Sequence, residues 1–193
     1  MLAEYISIAF GFIFISNVLL SQFLGICSFI GVSTKRSNAI GMSLSVIGVM
    51  LIAAIVSWVI YNLILVPLDI AFLYLIVFIL VIAFLVQLLE MILKKYIPGL
   101  YKSLGIYLPL ITTNCAILGV AVNATTKLNY NFGETVVYAL AIGIGYLLVM
   151  VMFSSIRERI ASYPIPKPFK GVAIALIIAG MMALAFKGLA GVI

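Results

Sequence analysis

Long apolar runs separated by short polar connections restrict this chain to one kind of solvent. The runs cover about Tyr5 to Leu24 with a tail reaching Val32, Ile40 to Leu63, Ile70 to Leu93, Leu104 to Val122, Thr135 to Ile156, and Gly171 to Gly188. A helix crossing the hydrocarbon of a bilayer needs about 20 mostly apolar residues, and each run is close to that length. A transmembrane barrel is excluded, because its strands would alternate and these runs are continuous. A soluble globule is excluded as well, since 66% of the 193 residues are hydrophobic and only 8% are charged. The expectation is an all-α membrane protein with six transmembrane helices, in a single domain over 1–193. Its start, Met1-Leu2-Ala3-Glu4-Tyr5, has no basic segment and no small-residue cleavage site before the apolar run, so the first run is expected to be kept as a span.

The formal charge of +6 would suggest nucleic acid in a soluble protein. Here the basic residues fall in connections between spans, where they control topology. Lys35 and Arg36 follow the first span, Lys94, Lys95 and Lys102 the third, and Arg157, Arg159, Lys167 and Lys170 the fifth; only Lys127 and Lys187 fall on the other side. Basic loops stay in the cytoplasm, which predicts a multi-pass protein of the inner or cytoplasmic membrane with both termini outside. The fifth connection, Ser162 to Pro168, carries three prolines and reads as a stiff strap or a plain linker.

One motif occurs twice. Gly25-Ile26-Cys27-Ser28-Phe29-Ile30-Gly31-Val32 returns as Thr113-Asn114-Cys115-Ala116-Ile117-Leu118-Gly119-Val120; both read Cys-x-x-x-Gly-Val, and they hold the only two cysteines. Small and polar residues loosen each segment: Asn17, Ser21, Gln22 and Gly25 before the first, Pro109, Thr112, Thr113 and Asn114 before the second. If each cysteine segment marks the first of three spans, the chain is two inverted repeats, about 1–100 and 101–193, related by an axis in the membrane plane. Counting inward from Lys102 at about 1.5 Å per residue puts Cys115 roughly 20 Å deep, whereas a straight helix from Glu4 would carry Cys27 about 35 Å, past the core. The two meet only if the first span is broken. The expected geometry is a half-helix ending near Ser21 to Gly25, a turn carrying Cys27, and a short piece leading to Lys35, with the fourth span interrupted around Thr112 to Cys115.

Unpaired cysteines in helical bundles are commonly just small buried hydrophobes. A disulfide at the axis has no evident stabilising task. A metal site is favoured by two quasi-equivalent thiols at two helix breaks, since thiolates select iron–sulfur centres, zinc, copper(I) or mononuclear iron. An iron–sulfur cluster usually takes four cysteines, so a second subunit would have to supply the rest. Acidic residues give no central relay: Glu4, Asp69 and Glu134 fall near outer ends, Glu158 in an inner loop, and Glu90 near the inner end of span three, beside Gln87 and four residues before Lys94. Any ion coupling is therefore expected to use backbone, amide or hydroxyl groups at the breaks, or conformational change.

The segments Phe23 to Ser33 and Leu104 to Val120 resemble the two signature segments of the family formed by the A subunits of Rnf electron-transport complexes. They are similar also to the sister family, the E subunits of the sodium-pumping NADH:quinone reductase. Length and six spans agree along the whole chain, and Thr113 looks more like the Rnf form; Ser28 departs from the proline that follows the cysteine in many members. The resemblance implies a share in a redox-driven pump that passes electrons between ferredoxin and NAD through flavins and iron–sulfur centres on several subunits, coupled to sodium or proton transport. It further implies pairing with a homologous subunit of opposite orientation, with Cys27 and Cys115 supplying two of the four thiolates of a shared [2Fe–2S] centre. Without it, a small inverted-repeat transporter would lead, followed by a structural membrane anchor. No glycine-rich nucleotide loop, histidine or hydrolytic constellation is present, so catalysis by this chain alone is not expected.

Overall fold

The computed structural model of the chain describes residues 2–68, 70–96, 108–128, 130–164, 166 and 169–190. Every regular element among them is helical: α1 (Leu2–Phe10), α2 (Val18–Ser21), α3 (Ile26–Val32), α4 (Arg36–Ile60), α5 (Tyr74–Tyr96), α6 (Leu108–Thr112), α7 (Cys115–Val122), α8 (Phe132–Ala161) and α9 (Val172–Ala190). Helices α1, α4 and α7 each continue into a wider π-helical turn, at Gly11–Ile15, Tyr61–Leu65 and Asn123–Lys127. Among the described residues, Arg36–Leu65, Tyr74–Ile92 and Phe132–Ala161 are long and apolar enough to cross a membrane; Tyr5–Ile15 and Val172–Gly188 are shorter apolar helices. Large apolar side chains such as Phe72, Leu80 and Leu184 stand on the surface. Such a surface is at home in lipid and not in water, and the protein is an all-helical membrane protein.

The α4–α8 pair forms the centre. Helix α4 buries Met42, Val46, Met50 and Ala53, and α8 buries Tyr138, Ile142, Val149 and Phe153. In lipid, burying apolar area contributes little to helix association, so close packing and hydrogen bonds hold such a pair. Phe29 of α3 stacks on Phe153 of α8 with ring centroids 3.9 Å apart, which fixes the short α3 against the central pair.

Ion-bearing side chains fasten the ends. Arg157 donates through Nη1 to the Ile30 carbonyl at 2.6 Å and to Ser33 Oγ at 2.7 Å, placing a cation at the α3 C-terminus, where the helix dipole favours it. Glu158 accepts from the Arg36 N–H at 2.9 Å, placing an anion at the α4 N-terminus. Arg36 and Arg157, read from sequence only as topology charges, thus also take part in joining the connection between α3 and α4 to α8. At the other end of α8, Asn131 and Glu134 form a reciprocal capping box. The Tyr130 phenol beside it is pushed up, first by burial and then by the Glu134 carboxylate, which keeps it neutral.

The run expected as the first span ends a helical piece at Ser21, as expected, but it is broken twice. A second break lies upstream at Ser16 and Asn17. The turn expected to carry Cys27 is instead formed by Gln22 to Gly25, and Cys27 lies in the first turn of α3. The reason is Gly25, whose φ of +87° closes the turn two residues early. The run expected as the fourth span is interrupted where expected, between α6 and α7 at Thr113 and Asn114. Lys102, the expected start of span four at Leu104, Asp69, and Ile165, Lys167 and Pro168 of the fifth connection lie outside the described residues.

Candidate metal-ligand site at two helix breaks

Asparagine makes two of the breaks. Asn17 is extended, and its Oδ1 accepts from Leu19 N at 3.1 Å while its Nδ2 donates back to the Ile13 carbonyl at 3.1 Å, so one side chain satisfies groups on both sides of the interruption. Asn114 is likewise extended and accepts from Ala116 N at 3.0 Å, starting α7 so that Cys115 is its first residue. The third break works differently. Phe23 and Gly25 both take left-handed backbone, with φ of 54° and 87°, and Gly25 starts α3 with no side-chain cap. For a bulky residue such as Phe23 that conformation is strained.

These devices bring the two cysteine segments together. The Gly25 N–H donates to Cys115 Sγ at 2.9 Å, so the second sulfur sits two residues before Cys27 in the first segment. Both thiols are free and both are within electrostatic reach of the Tyr146 hydroxyl. Cys27 is exposed on the chain surface and Cys115 is half-buried. Ser28, fully buried, donates to the Gly25 carbonyl at 2.9 Å, pairs with the Tyr146 hydroxyl at 2.8 Å and receives Asn114 Nδ2 at 3.4 Å.

Gly25 is needed for its backbone, not for space. A methyl added there would meet Ala116 Cβ, Asn114 Oδ1 and Tyr146 Cε2 at 3.4 Å, which is ordinary contact. Gly25→Ala is therefore expected to cost about 1–2 kcal/mol through the left-handed conformation alone. Thermal unfolding of the solubilised protein checks this, and Gly25→Asn should recover part of the loss, since asparagine tolerates that region. An alanine variant as stable as wild type would show that the turn relaxes freely.

The donor set fits half of a thiolate-held centre. Two soft ligands lie at the starts of two helices, where unpaired backbone N–H groups favour negative charge, and one amide already donates to a sulfur. Among the described residues no group of three or more His, Cys, Asp or Glu side chains could hold a metal ion. Any four-thiolate centre thus needs ligands from outside the chain, and the exposed Cys27 faces outward. Glu90 sits half-buried on α5, the helix that carries Lys94 and Lys95 in its last turn. Tyr146 and Arg157, one touching the cysteine network and the other holding the far end of α3, were not singled out for these roles from sequence. A tyrosine within an apolar run reads as core, and an arginine at its end reads as a topology signal.

Beside the breaks before and after α2, a cavity of about 520 Å³ opens against α9, lined by Ser16, Asn17, Ser21, Phe23, Gly180 and Lys187 among others.

A family model described as Rnf-Nqr subunit, membrane protein, matches residues 5–193. Among curated proteins, the A subunit of the ion-translocating oxidoreductase complex of Serratia proteamaculans is 49% identical over 192 residues, covering 100% of this chain and 99% of its own. The proteins of the same name from Cronobacter sakazakii and Pseudoalteromonas translucida are 48% and 47% identical over the same coverage.

Proposed function

From the premise that the chain belongs to the Rnf-Nqr family of membrane proteins, we propose that it is the subunit of an ion-translocating oxidoreductase complex that carries half of a membrane-embedded electron relay. Cys27 and Cys115 supply two thiolates, and a homologous six-span subunit of opposite orientation supplies two more. The group held between them is a [2Fe–2S] centre, which when bound accepts and passes on one electron at a time. The chain lies in the cytoplasmic membrane with both termini outside, its six spans arranged as two inverted repeats. Electron flow between ferredoxin and NAD, through flavin and iron–sulfur subunits, is coupled to sodium or proton transport.

The observation that carries this reading is the 2.9 Å contact of the Gly25 amide with Cys115 Sγ, which draws residues from distant parts of the chain to one spot. An N–H aimed at sulfur stabilises the negative charge that thiolate ligation brings. The exposure of Cys27 supports a partner, because a thiolate ligand on the chain's outer surface can complete a centre only with ligands from another subunit. The residues of this chain then act as a frame: Asn114 and Gly25 start the two ligand-bearing helices, and Arg157 and Phe153 hold α3 in place.

Metal analysis and electron paramagnetic resonance test the proposal on the chain alone and on the chain co-purified with its membrane partner. The chain alone is expected to be colourless and iron-free, and the pair to carry about two irons, the content of one [2Fe–2S] centre. The cavity beside the first-span breaks favours a second reading, a small solute transporter. Solute uptake by the chain alone in vesicles, with no iron in either preparation, would establish that reading and remove the first.

A further inference from the structure

The hydrogen bonds around Ser28 have a direction that the hydroxyl's own capacity fixes. A serine hydroxyl has one proton to give and two lone pairs. That proton goes to the Gly25 carbonyl at 2.9 Å. Ser28 Oγ must then accept from the Tyr146 hydroxyl at 2.8 Å and from Asn114 Nδ2 at 3.4 Å. The chain of donation runs from Tyr146 through Ser28 to the Gly25 carbonyl, and every group in it is buried, so no water competes.

Gly25 is the swivel at its end. Its N–H donates to Cys115 Sγ, and its carbonyl takes both the Ser28 proton and the Phe29 N–H, at 3.0 Å. The amide and the carbonyl of Gly25 lie in different peptide planes joined through its φ and ψ, so anchoring the carbonyl plane to α3 removes one of the motions by which the amide could swing off the sulfur. Asn114 completes the clasp, because it caps α7 with Oδ1 and reaches Ser28 with Nδ2, joining the helix that bears Cys115 to the one that bears Cys27.

We propose that Tyr146 is a positioning residue for the cysteine pair: acting through Ser28, it holds the Gly25 amide on the Cys115 sulfur and so sets how readily an electron is accepted there. The inference rests on the reading of Cys27 and Cys115 as iron ligands. An N–H donated to a ligand sulfur stabilises the more negative, reduced form and raises the reduction potential. Loosening the amide therefore lowers it.

Redox titration followed by electron paramagnetic resonance on the co-purified complex tests this with Tyr146→Phe, Ser28→Ala and the double variant. Each single variant is expected to keep its iron and to move the midpoint to more negative potential. The expected size is up to about tenfold in the reduced-to-oxidised ratio, or about 59 mV for one electron. The double variant should shift no further than the larger single, because both cuts sever one chain. An unchanged midpoint in Tyr146→Phe with iron retained overturns the proposal. If that variant fails to assemble, Ser28→Ala decides by the same criterion; iron loss in both, with an unshifted midpoint in the centres that remain, makes Tyr146 merely structural and overturns it too. A wild-type signal that persists in Cys27→Ser defeats the ligand reading itself, a separate result.

Discussion

Cys27→Ser and Cys115→Ser are each expected to remove one [2Fe–2S] centre's iron, about two atoms, from the co-purified complex and to abolish electron transfer coupled to ion movement. Serine is nearly isosteric with cysteine, so the helix starts at Gly25 and Asn114 should survive. What is lost is the soft sulfur donor, for which a hydroxyl is a poor substitute. The two variants should behave alike although Cys27 is exposed and Cys115 half-buried. Iron analysis and paramagnetic resonance, with the assembled complex checked by size, read the result. Unchanged iron and spectra in both would remove the site assignment and leave a structural membrane anchor as the better account.

Gly145→Ala is expected to be the most damaging of the conservative glycine substitutions. A methyl there would lie 2.8 Å from Asn17 Nδ2 and 3.2 and 3.3 Å from the Ile13 carbonyl oxygen and Cα. Two of those atoms are backbone and cannot swing aside, so α8 and the broken first span must separate. Overpacking of this kind costs about 1–3 kcal/mol, and dislodging the Asn17 cap adds about 1 kcal/mol. Because Tyr146 is the next residue, the cysteine network should shift as well. Gly48→Ala is the control: it is exposed within α4, nothing lies within 4 Å of the added methyl, and alanine should stabilise a helix there by about 0.5–1 kcal/mol. Thermal denaturation of the solubilised protein should show opposite signs for the two; equal effects would mean that the α8 contact is not tight in the folded protein.

The breaks were partly visible in the residues that make them. Thr112 to Cys115 announced the fourth-span interruption because threonine and asparagine satisfy backbone groups locally and compete with helix. Gly25 was read as the limit of the first half-helix with the turn placed after it at Cys27, whereas its left-handed backbone closes the turn before the cysteine. Asn17 was read only as a loosening residue, yet it makes a complete break by capping one helix and returning a donor to the helix before it. The repeated Cys-x-x-x-Gly-Val motif suggested equivalent surroundings, and here the two sites differ: a left-handed glycine starts one helix and an asparagine side chain starts the other.

Composition and run length alone determined that this is a helical membrane protein, and the two thiols alone restricted the metal chemistry open to it, because both follow from local properties of the chain. Which atoms meet was decided only in three dimensions. Gly25 reaches a sulfur 90 residues away, and Ser28 a hydroxyl 118 residues away. In a soluble helix an apolar stripe shows which face turns inward. In lipid every face is apolar, so rotation and depth leave almost no trace in hydropathy and are set by small residues, caps and interhelical hydrogen bonds once the helices have packed.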